Sequence, residues 1–95
     1  MYGTIFNLEV KPGHEAELIK VFNEEQAKPA GAVALFVMQP DNNGRWIGVA
    51  IFKSKETYVA NAESPEQHTN FLKMMEHLES EPEWTDGTYV ISETL

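Results

Sequence analysis

Asn7 and His68 are polar residues within apolar stretches, and they are the side chains best placed to do chemistry. Asn7 interrupts an apolar run near the start of the chain, where a buried amide without a partner would cost about 1–3 kcal/mol. His68 lies on the apolar stripe of a predicted helix, where a neutral imidazole could accept a proton from a phenol. We predict substrate orientation by Asn7 and proton transfer by His68. The alternative for each is that backbone groups or water satisfy the side chain.

Aromatic and thioether side chains predict an apolar pocket near these two residues. The candidate substrate-binding residues are Tyr58, Phe71, Met74, Met75 and Trp46. Side chains of this kind suit a planar aromatic ligand. The same spacing is also typical of an ordinary hydrophobic core, and this alternative stays open.

Other kinds of site are not expected. We expect no close pair among the three histidines, with His14 at a helix start and His77 on a polar helix face, so we predict no metal site. Gly44 and Gly48 do not lie between a strand and a helix, which argues against a phosphate-binding loop. Cysteine is absent, so thiol catalysis and disulfides are excluded. We therefore predict no cofactor.

The charge and length limit the possible partners. Seven basic and fifteen acidic residues give a formal net charge of −8, which repels nucleic acid and anionic lipid, so neither is a predicted partner. The longest mostly apolar segment, Ala30 to Met38, is too short to cross a bilayer, and the first residues do not resemble a signal peptide. We expect one domain over residues 1–95, located in the cytoplasm.

The first half of the chain predicts a strand, a helix and a second strand. The strand Tyr2–Val10 stops at a Lys-Pro-Gly turn. A helix begins at Glu15, with Leu18, Ile19 and Phe22 on its inner stripe, and Pro29 prevents its continuation. The strands Ala32–Met38 and Arg45–Phe52 then form a hairpin through a turn-rich segment.

The second half predicts two short helices and a last strand. Ser64, Pro65 and Gln67 form a capping pattern at the start of the second of these helices. Its inner stripe contains His68, Phe71, Met75 and Leu78, with Met74 beside them. A charged connector over residues 79–83 leads to an Asp-Gly turn and the strand Thr88–Ser92.

This order is β-α-β-β-α-β with the second helix broken in two. It predicts an α+β, ferredoxin-like fold, in which a four-stranded antiparallel sheet carries its helices on one face. The strands are apolar on both faces, and about ten side chains exceed the few hundred Å² of apolar surface that a monomer usually exposes. We therefore predict a homodimer in which the helix-free faces of two sheets pack together.

Several motifs, in this order, resemble the antibiotic biosynthesis monooxygenase (ABM) family. They are Val10-Lys11-Pro12-Gly13-His14-Glu15, Phe52-Lys53-Ser54-Lys55-Glu56, Ser64-Pro65-x-x-His68 and Trp84-x-Asp86-Gly87. The resemblance spans essentially the whole chain. It implies a dimeric α/β barrel, in which two sheets face each other.

The resemblance also implies several possible activities. They include cofactor-free oxygenation of phenols and anthrones, quinol oxidation and haem degradation. The haem-degrading members use an asparagine on the first strand, which Asn7 matches. They also use a tryptophan and a histidine, at positions that hold Asn61 and Phe71 in this chain, so haem degradation is less favoured.

Two hypotheses from different classes remain. The first is a cofactor-independent monooxygenase that acts on a small aromatic substrate, such as a phenol, quinol or anthrone. The second is a non-catalytic dimer that binds a small apolar molecule or serves a structural role. An apolar cavity would serve either function, so the sequence leaves both open.

Overall fold

The computed structural model describes residues 1–24 and 28–95 and contains the predicted order of elements. The elements are β1 (Tyr2–Leu8), α1 (Glu15–Glu24), β2 (Ala32–Met38), β3 (Trp46–Phe52), α2 (Lys55–Ala62), α3 (Pro65–Met75) and β4 (Glu83–Thr88). The strands form an antiparallel sheet in the order β2-β3-β1-β4. The fold is therefore the predicted ferredoxin-like α+β arrangement. The predicted extension of α1 toward Pro29 includes residues 25–27, which lie outside the described residues.

The last strand begins earlier than predicted. We expected Thr88–Ser92, but β4 is Glu83–Thr88, and it pairs with β1 so that Trp84 lies opposite Phe6. The Asp-Gly pair, predicted to form a turn, lies within the strand because pairing with β1 overrides its low strand propensity. The chain beyond β4 is held by Tyr89, whose backbone N–H donates to the Met1 carbonyl.

The helices pack over one face of the sheet and form the core there. Leu18 of α1, Met74 of α3 and Leu78 beyond α3 are buried against residues of the sheet. The predicted cap of α3 is confirmed, since Ser64 Oγ accepts a hydrogen bond from the Gln67 N–H at 3.1 Å. Ile19, predicted on the inner stripe of α1, is instead exposed, so the stripe is narrower than expected.

The helices lie over one face of the sheet only. Phe6 and Leu8 of β1 are buried beneath the helices, and side chains alternate along a strand, so Ile5 and Asn7 lie on the opposite face. The opposite face keeps large apolar side chains exposed. They are Phe36 (65% exposed), Met38 (55%), Ile5 (46%) and Ile47 (36%).

The strand register arranges these exposed side chains in rows across the sheet. One row contains Ile5, Val49 and Phe36, and the next contains Asn7, Ile47 and Met38. On β4 the rows end in the polar Thr85 and Glu83. The helix-free face is therefore apolar over β1, β3 and β2 and polar along its β4 edge.

No helix in the part of the chain that the structure describes is long and apolar enough to cross a membrane.

Candidate functional site

A cavity of about 760 Å³ lies between the helices and the sheet. Strands β1, β2, β3 and β4 form its floor, and α1, α2 and α3 contribute to its walls. Its aromatic and other large apolar lining residues are Phe6, Phe22, Val33, Leu35, Phe52, Phe71, Met74 and Trp84, and its polar ones include Thr4, Tyr58, Asn61, Gln67, His68 and Asp86. A cavity with an apolar lining and a few polar groups is typical of a small-molecule site.

Gly48 makes room for the aromatic floor of the cavity. A Cβ atom added at Gly48 would overlap the Phe6 ring, so only glycine leaves space for that ring against β3. The Phe6 ring in turn packs against Trp84 of β4, with ring centroids 5.0 Å apart and planes inclined by 40°. This packing aligns two aromatic side chains along the floor.

Tyr58 and Asp86 form a hydrogen-bonded pair at the cavity. The Tyr58 hydroxyl donates to Asp86 Oδ1 at 2.9 Å, across the gap between α2 and β4. Burial, followed by the hydrogen bond and the negative charge of Asp86, raises the pKa of Tyr58 to about 12. Tyr58 therefore stays protonated even at alkaline pH near its ordinary pKa of 10, and its hydroxyl directs its proton at the carboxylate.

The start of α2 fixes the position of Tyr58. Ser54 caps the helix by accepting a hydrogen bond from the Thr57 N–H at 3.2 Å, and the Thr57 hydroxyl accepts one from the Ser54 N–H at 3.3 Å. The Tyr58 ring also contacts the rings of Tyr2 and Phe52, at centroid distances of 5.4 and 5.6 Å. These contacts hold the phenol over the sheet.

His68 borders the cavity from the first turn of α3. The backbone N–H of His68 bonds the carbonyl of Ser64, the capping residue, at 3.2 Å. The side chain is exposed as well as cavity-lining, so a bound ligand and solvent can both reach its imidazole. This access suits a group that exchanges protons with a substrate.

The other predicted pocket residues divide into two groups. Tyr58, Phe71 and Met74 line the cavity. Met75 and Trp46 do not, because Trp46 is buried within the core and Met75 packs against that core. The structure thus places both residues in the core rather than at the pocket where they were predicted, and the core interpretation describes their packing.

Asn7 lies on the opposite side of the sheet from the cavity. Its neighbours Phe6 and Leu8 face the helices, and the two-residue period of β1 turns Asn7 toward the helix-free face beside Ile47. The expectation that Asn7 and His68 border the same cavity is therefore wrong. Of the two predicted catalytic residues, only His68 lines this cavity.

Trp84 and Asp86 are site residues that sequence reasoning missed. Both lie on the helix side of β4, opposite Phe6 and Thr4 of β1. The sequence pattern that could have revealed them is that Trp84, Asp86 and Thr88 follow one another at intervals of two residues, which places side chains on one face of a strand. The intervening Asp-Gly pair, typical of a turn, hid this periodicity.

His14 and His77 form a close pair, so the expectation that no two histidines lie close together is wrong. Their Nδ1 atoms lie 3.1 Å apart, and both residues are half-buried rather than exposed. Neither lines the cavity. Within residues 1–24 and 28–95, the structure contains no group of three or more histidine or carboxylate side chains suited to hold a metal ion.

Comparison with known proteins identifies the fold. No model of a protein family matches the chain, and no curated protein does. Among similar solved structures is a proposed antibiotic biosynthesis monooxygenase from Nitrosomonas europaea, with 16% identity and a TM-score of 0.79 over 96% of this chain and 100% of that one. Another is a point mutant of SnoaB, a cofactor-independent oxygenase from Streptomyces nogalater, with 13% identity and a TM-score of 0.81 over 96% and 94%.

A third similar structure contains a porphyrin. A point mutant of MhuD, with two manganese protoporphyrin IX molecules per active site, is 18% identical and has a TM-score of 0.77 over 99% of both chains. Identities this low establish a common fold. The chain therefore has the fold of the antibiotic biosynthesis monooxygenase structures, as its motifs predicted.

Proposed function

We propose that the protein is a cofactor-independent oxygenase that acts on a small aromatic substrate such as a phenol, quinol or anthrone. The observation that carries this proposal is the 760 Å³ cavity, whose aromatic floor lies within reach of a few titratable side chains. The similarity in fold to SnoaB, a cofactor-independent oxygenase, supports it.

The chemistry requires the substrate to supply the electrons. When an anthrone methylene becomes a quinone carbonyl, one atom of O₂ enters the product and the other leaves as water with the two methylene hydrogens. The substrate gives up four electrons, and O₂ accepts them. The protein must then hold a planar ring away from water and help to remove a proton, which makes the substrate a better electron donor.

His68 is the proposed proton acceptor, and Asp86 is the second candidate. His68 is accessible to both the cavity and solvent, so it could pass a proton from the substrate to water. Asp86 is oriented by the Tyr58 hydroxyl at 2.9 Å. A substrate hydroxyl could bond the second oxygen of this carboxylate, which would orient the ring over Phe6 and Trp84.

Oxygen consumption with a series of quinols and anthrones tests the proposal. For a substrate that is turned over, His68→Ala should lower kcat by about a hundredfold or more, the usual contribution of a general base. Asp86→Asn should lower kcat/KM. Two matched controls should retain activity: Thr69→Ala, which changes an exposed residue beside His68, and Glu83→Gln, which changes a carboxylate on the other face of β4.

One result would count against the oxygenase, and another against the role of His68. If no member of the series is oxidised but several bind in the cavity, the protein is a non-catalytic small-molecule-binding module, the second hypothesis from the sequence. If turnover occurs and is equally fast in the His68→Ala and Thr69→Ala variants, the proposed role of His68 is refuted and Asp86 remains as the candidate proton acceptor.

Haem degradation is a less favoured activity for this cavity. The MhuD mutant with bound manganese protoporphyrin shares the fold. In this chain, however, Asn61 and Phe71 occupy the positions of the family's tryptophan and histidine, and both line the cavity. An absorbance titration with haem tests this view, which predicts no spectral loss of the porphyrin under reducing conditions.

We also propose that the protein is a homodimer formed by the helix-free faces of two sheets. Exposed Phe36, Met38, Ile5 and Ile47 on this face support the proposal, because their contiguous rows would be covered by a second copy. Asn7 would lie within the sheet-to-sheet interior, where its amide must find a hydrogen-bonding partner.

Sedimentation equilibrium with a matched pair of variants tests the dimer. Phe36→Arg places a charge at the most exposed side chain of this face and should give a monomer. Leu72→Arg is the control, since Leu72 is an exposed apolar residue on α3, and it should remain a dimer. A wild-type protein that stays monomeric at micromolar concentration would refute this interface.

A further inference from the structure

His14 and His77 bring two imidazole nitrogens together at a corner of the fold. The two Nδ1 atoms are 3.1 Å apart, and the ring centroids are 5.3 Å apart with planes inclined by 51°. His14 lies just before α1, and His77 follows the end of α3. Neither residue contributes to the cavity, so the pair has no part in the proposed oxygenase.

The backbone on both sides of this pair is fixed by hydrogen bonds. The His14 N–H donates to the Lys11 carbonyl at 3.0 Å, and the His14 carbonyl accepts from the Leu18 N–H at 3.0 Å. The His77 carbonyl accepts from the Lys11 N–H at 2.9 Å, and the His77 N–H donates to the Met74 carbonyl at 3.0 Å. The backbone that carries the two imidazoles is thus pre-organised, which lowers the entropic cost of binding a ligand between them.

The distance between the nitrogens matches that of two ligands of one metal ion. With metal–nitrogen bonds of about 2.0–2.1 Å, a separation of 3.1 Å corresponds to an angle of about 100° at the metal. This angle is wider than the angle between cis ligands of a square-planar site and narrower than the angle between ligands of a tetrahedral site. In the metal-free pair one ring must donate its Nδ1 proton to the other, and that proton can move to Nε2 when the metal binds.

The local charge is compatible with a bound cation. Glu15 and Glu76 adjoin the two histidines in sequence, whereas Lys11 places one positive charge nearby by donating to the Glu76 carbonyl at 3.1 Å. The whole chain has a formal charge of −8. With no third protein ligand among the described residues, water would fill the remaining coordination positions.

We propose that His14 and His77 form a bidentate site for a divalent transition-metal ion that favours imidazole nitrogen, such as Cu²⁺, Ni²⁺ or Zn²⁺. The bound ion clamps the loop that enters α1 to the turn that leaves α3. Because the two protein ligands leave coordination positions for water, the bound ion is exchangeable. Of the three ions Cu²⁺ binds most tightly, in line with the general order of affinity of these metals for such ligands.

Titration of the full-length, tag-free protein with Cu²⁺ tests the site, using calorimetry and electron paramagnetic resonance. The wild type should bind one equivalent, with a spectrum that indicates two imidazole nitrogens. His14→Asn and His77→Asn, made separately, should each raise the dissociation constant by roughly tenfold or more, as the loss of a metal-site interaction commonly does. His68→Asn is the matched control and should bind as the wild type does, because His68 belongs to another part of the surface.

The resonance spectrum keeps the test valid even if one variant fails to fold, since it requires only the wild-type protein. A spectrum with a single imidazole nitrogen would overturn the site. Equal affinity in the wild type and in a folded His14→Asn variant would overturn it as well. The same conclusion would follow if His68→Asn weakened binding as much as His14→Asn, because the copper would then be bound by scattered histidines.

Discussion

Replacing Gly48 with alanine should destabilise the protein through a single steric conflict. The added Cβ would overlap the Phe6 ring, which occupies the space that Gly48 leaves on the helix side of β3. Phe6 is buried and packs against Trp84 at 5.0 Å, so its ring can move away only toward the cavity that it lines. The ring would have to shift toward the cavity or the backbone of β3 would have to move.

The expected loss is the difference between two opposing effects. Overpacking a core costs about 1–3 kcal/mol, while exchanging glycine for alanine restricts the unfolded chain and returns about 0.4–1 kcal/mol. The backbone at Gly48 does not adopt a left-handed conformation, so no further strain applies. We expect a net loss of about 1–2 kcal/mol, which lowers the urea midpoint by roughly 0.5–1 M.

Urea unfolding at one fixed protein concentration measures this loss. Gly87→Ala is the matched control, because Gly87 is also a strand glycine but nothing lies within 4 Å of the position of its Cβ. That variant should be neutral or slightly stabilising. In a Phe6→Leu background, which removes the ring, Gly48→Ala should cost much less than it does alone.

Two results would refute this reasoning. If Gly48→Ala and Gly87→Ala change the free energy of unfolding equally, the packing of the Phe6 ring does not require a residue without a side chain at position 48. If the cost of Gly48→Ala is unchanged in the Phe6→Leu background, the conflict involves some other neighbour.

The remaining predictions concern Tyr58 and Gly31. In a spectroscopic titration Tyr58 should ionise near pH 12. Asp86→Asn should lower that pKa only in part, since burial is the larger cause. An unchanged pKa in this variant would contradict the contact between Tyr58 and Asp86. Because the folded state retains the Tyr58 proton above its ordinary pKa of 10, its contribution to stability is complete below pH 10 and declines as the pH rises toward 12, which alkaline unfolding would measure against Tyr58→Phe. In urea unfolding, Gly31→Ala should lower the free energy of unfolding more than Gly13→Ala does. Both glycines have positive φ (79° and 83°), but a Cβ at Gly31 would lie 2.6 Å from Thr57, whereas Gly13 has open space. Equal losses would exclude the steric contribution of Thr57.

The sequence predicts elements well where local chemistry decides them. The start of α3 is a clear example, because a serine followed by proline suits the cap and first position of a helix, and the capping bond is where the pattern predicts it. The order of strands and helices, and with it the fold, follows from such local signals. The apolar character of both sheet faces was also readable, and the structure places large apolar side chains on the helix-free face.

The site was harder to predict because it depends on long-range pairing. The face on which Asn7 lies is set by the parity of β1 relative to the core, and a shift of one position reverses the answer. The inclusion of Trp84 and Asp86 in a strand depends on pairing with β1, which their own turn-forming neighbours do not indicate. The contact between His14 and His77 joins positions 63 residues apart, and no local pattern reports it.

The position of β4 at the edge of the sheet has a consequence for how the cavity opens. Every residue of β4 is exposed, and the strand pairs with β1 from the far end of the sequence, so its docking closes the longest loop in the fold. Such a strand is expected to detach at a lower free energy than the paired centre of the sheet. Detachment would remove Trp84 and Asp86 from the cavity floor while β2, β3 and β1 remained paired. Partial unfolding of this one strand would therefore widen the cavity, while the Tyr89 hydroxyl, within 3.1 Å of the Thr4 and Ala50 carbonyls, holds the chain just beyond the strand.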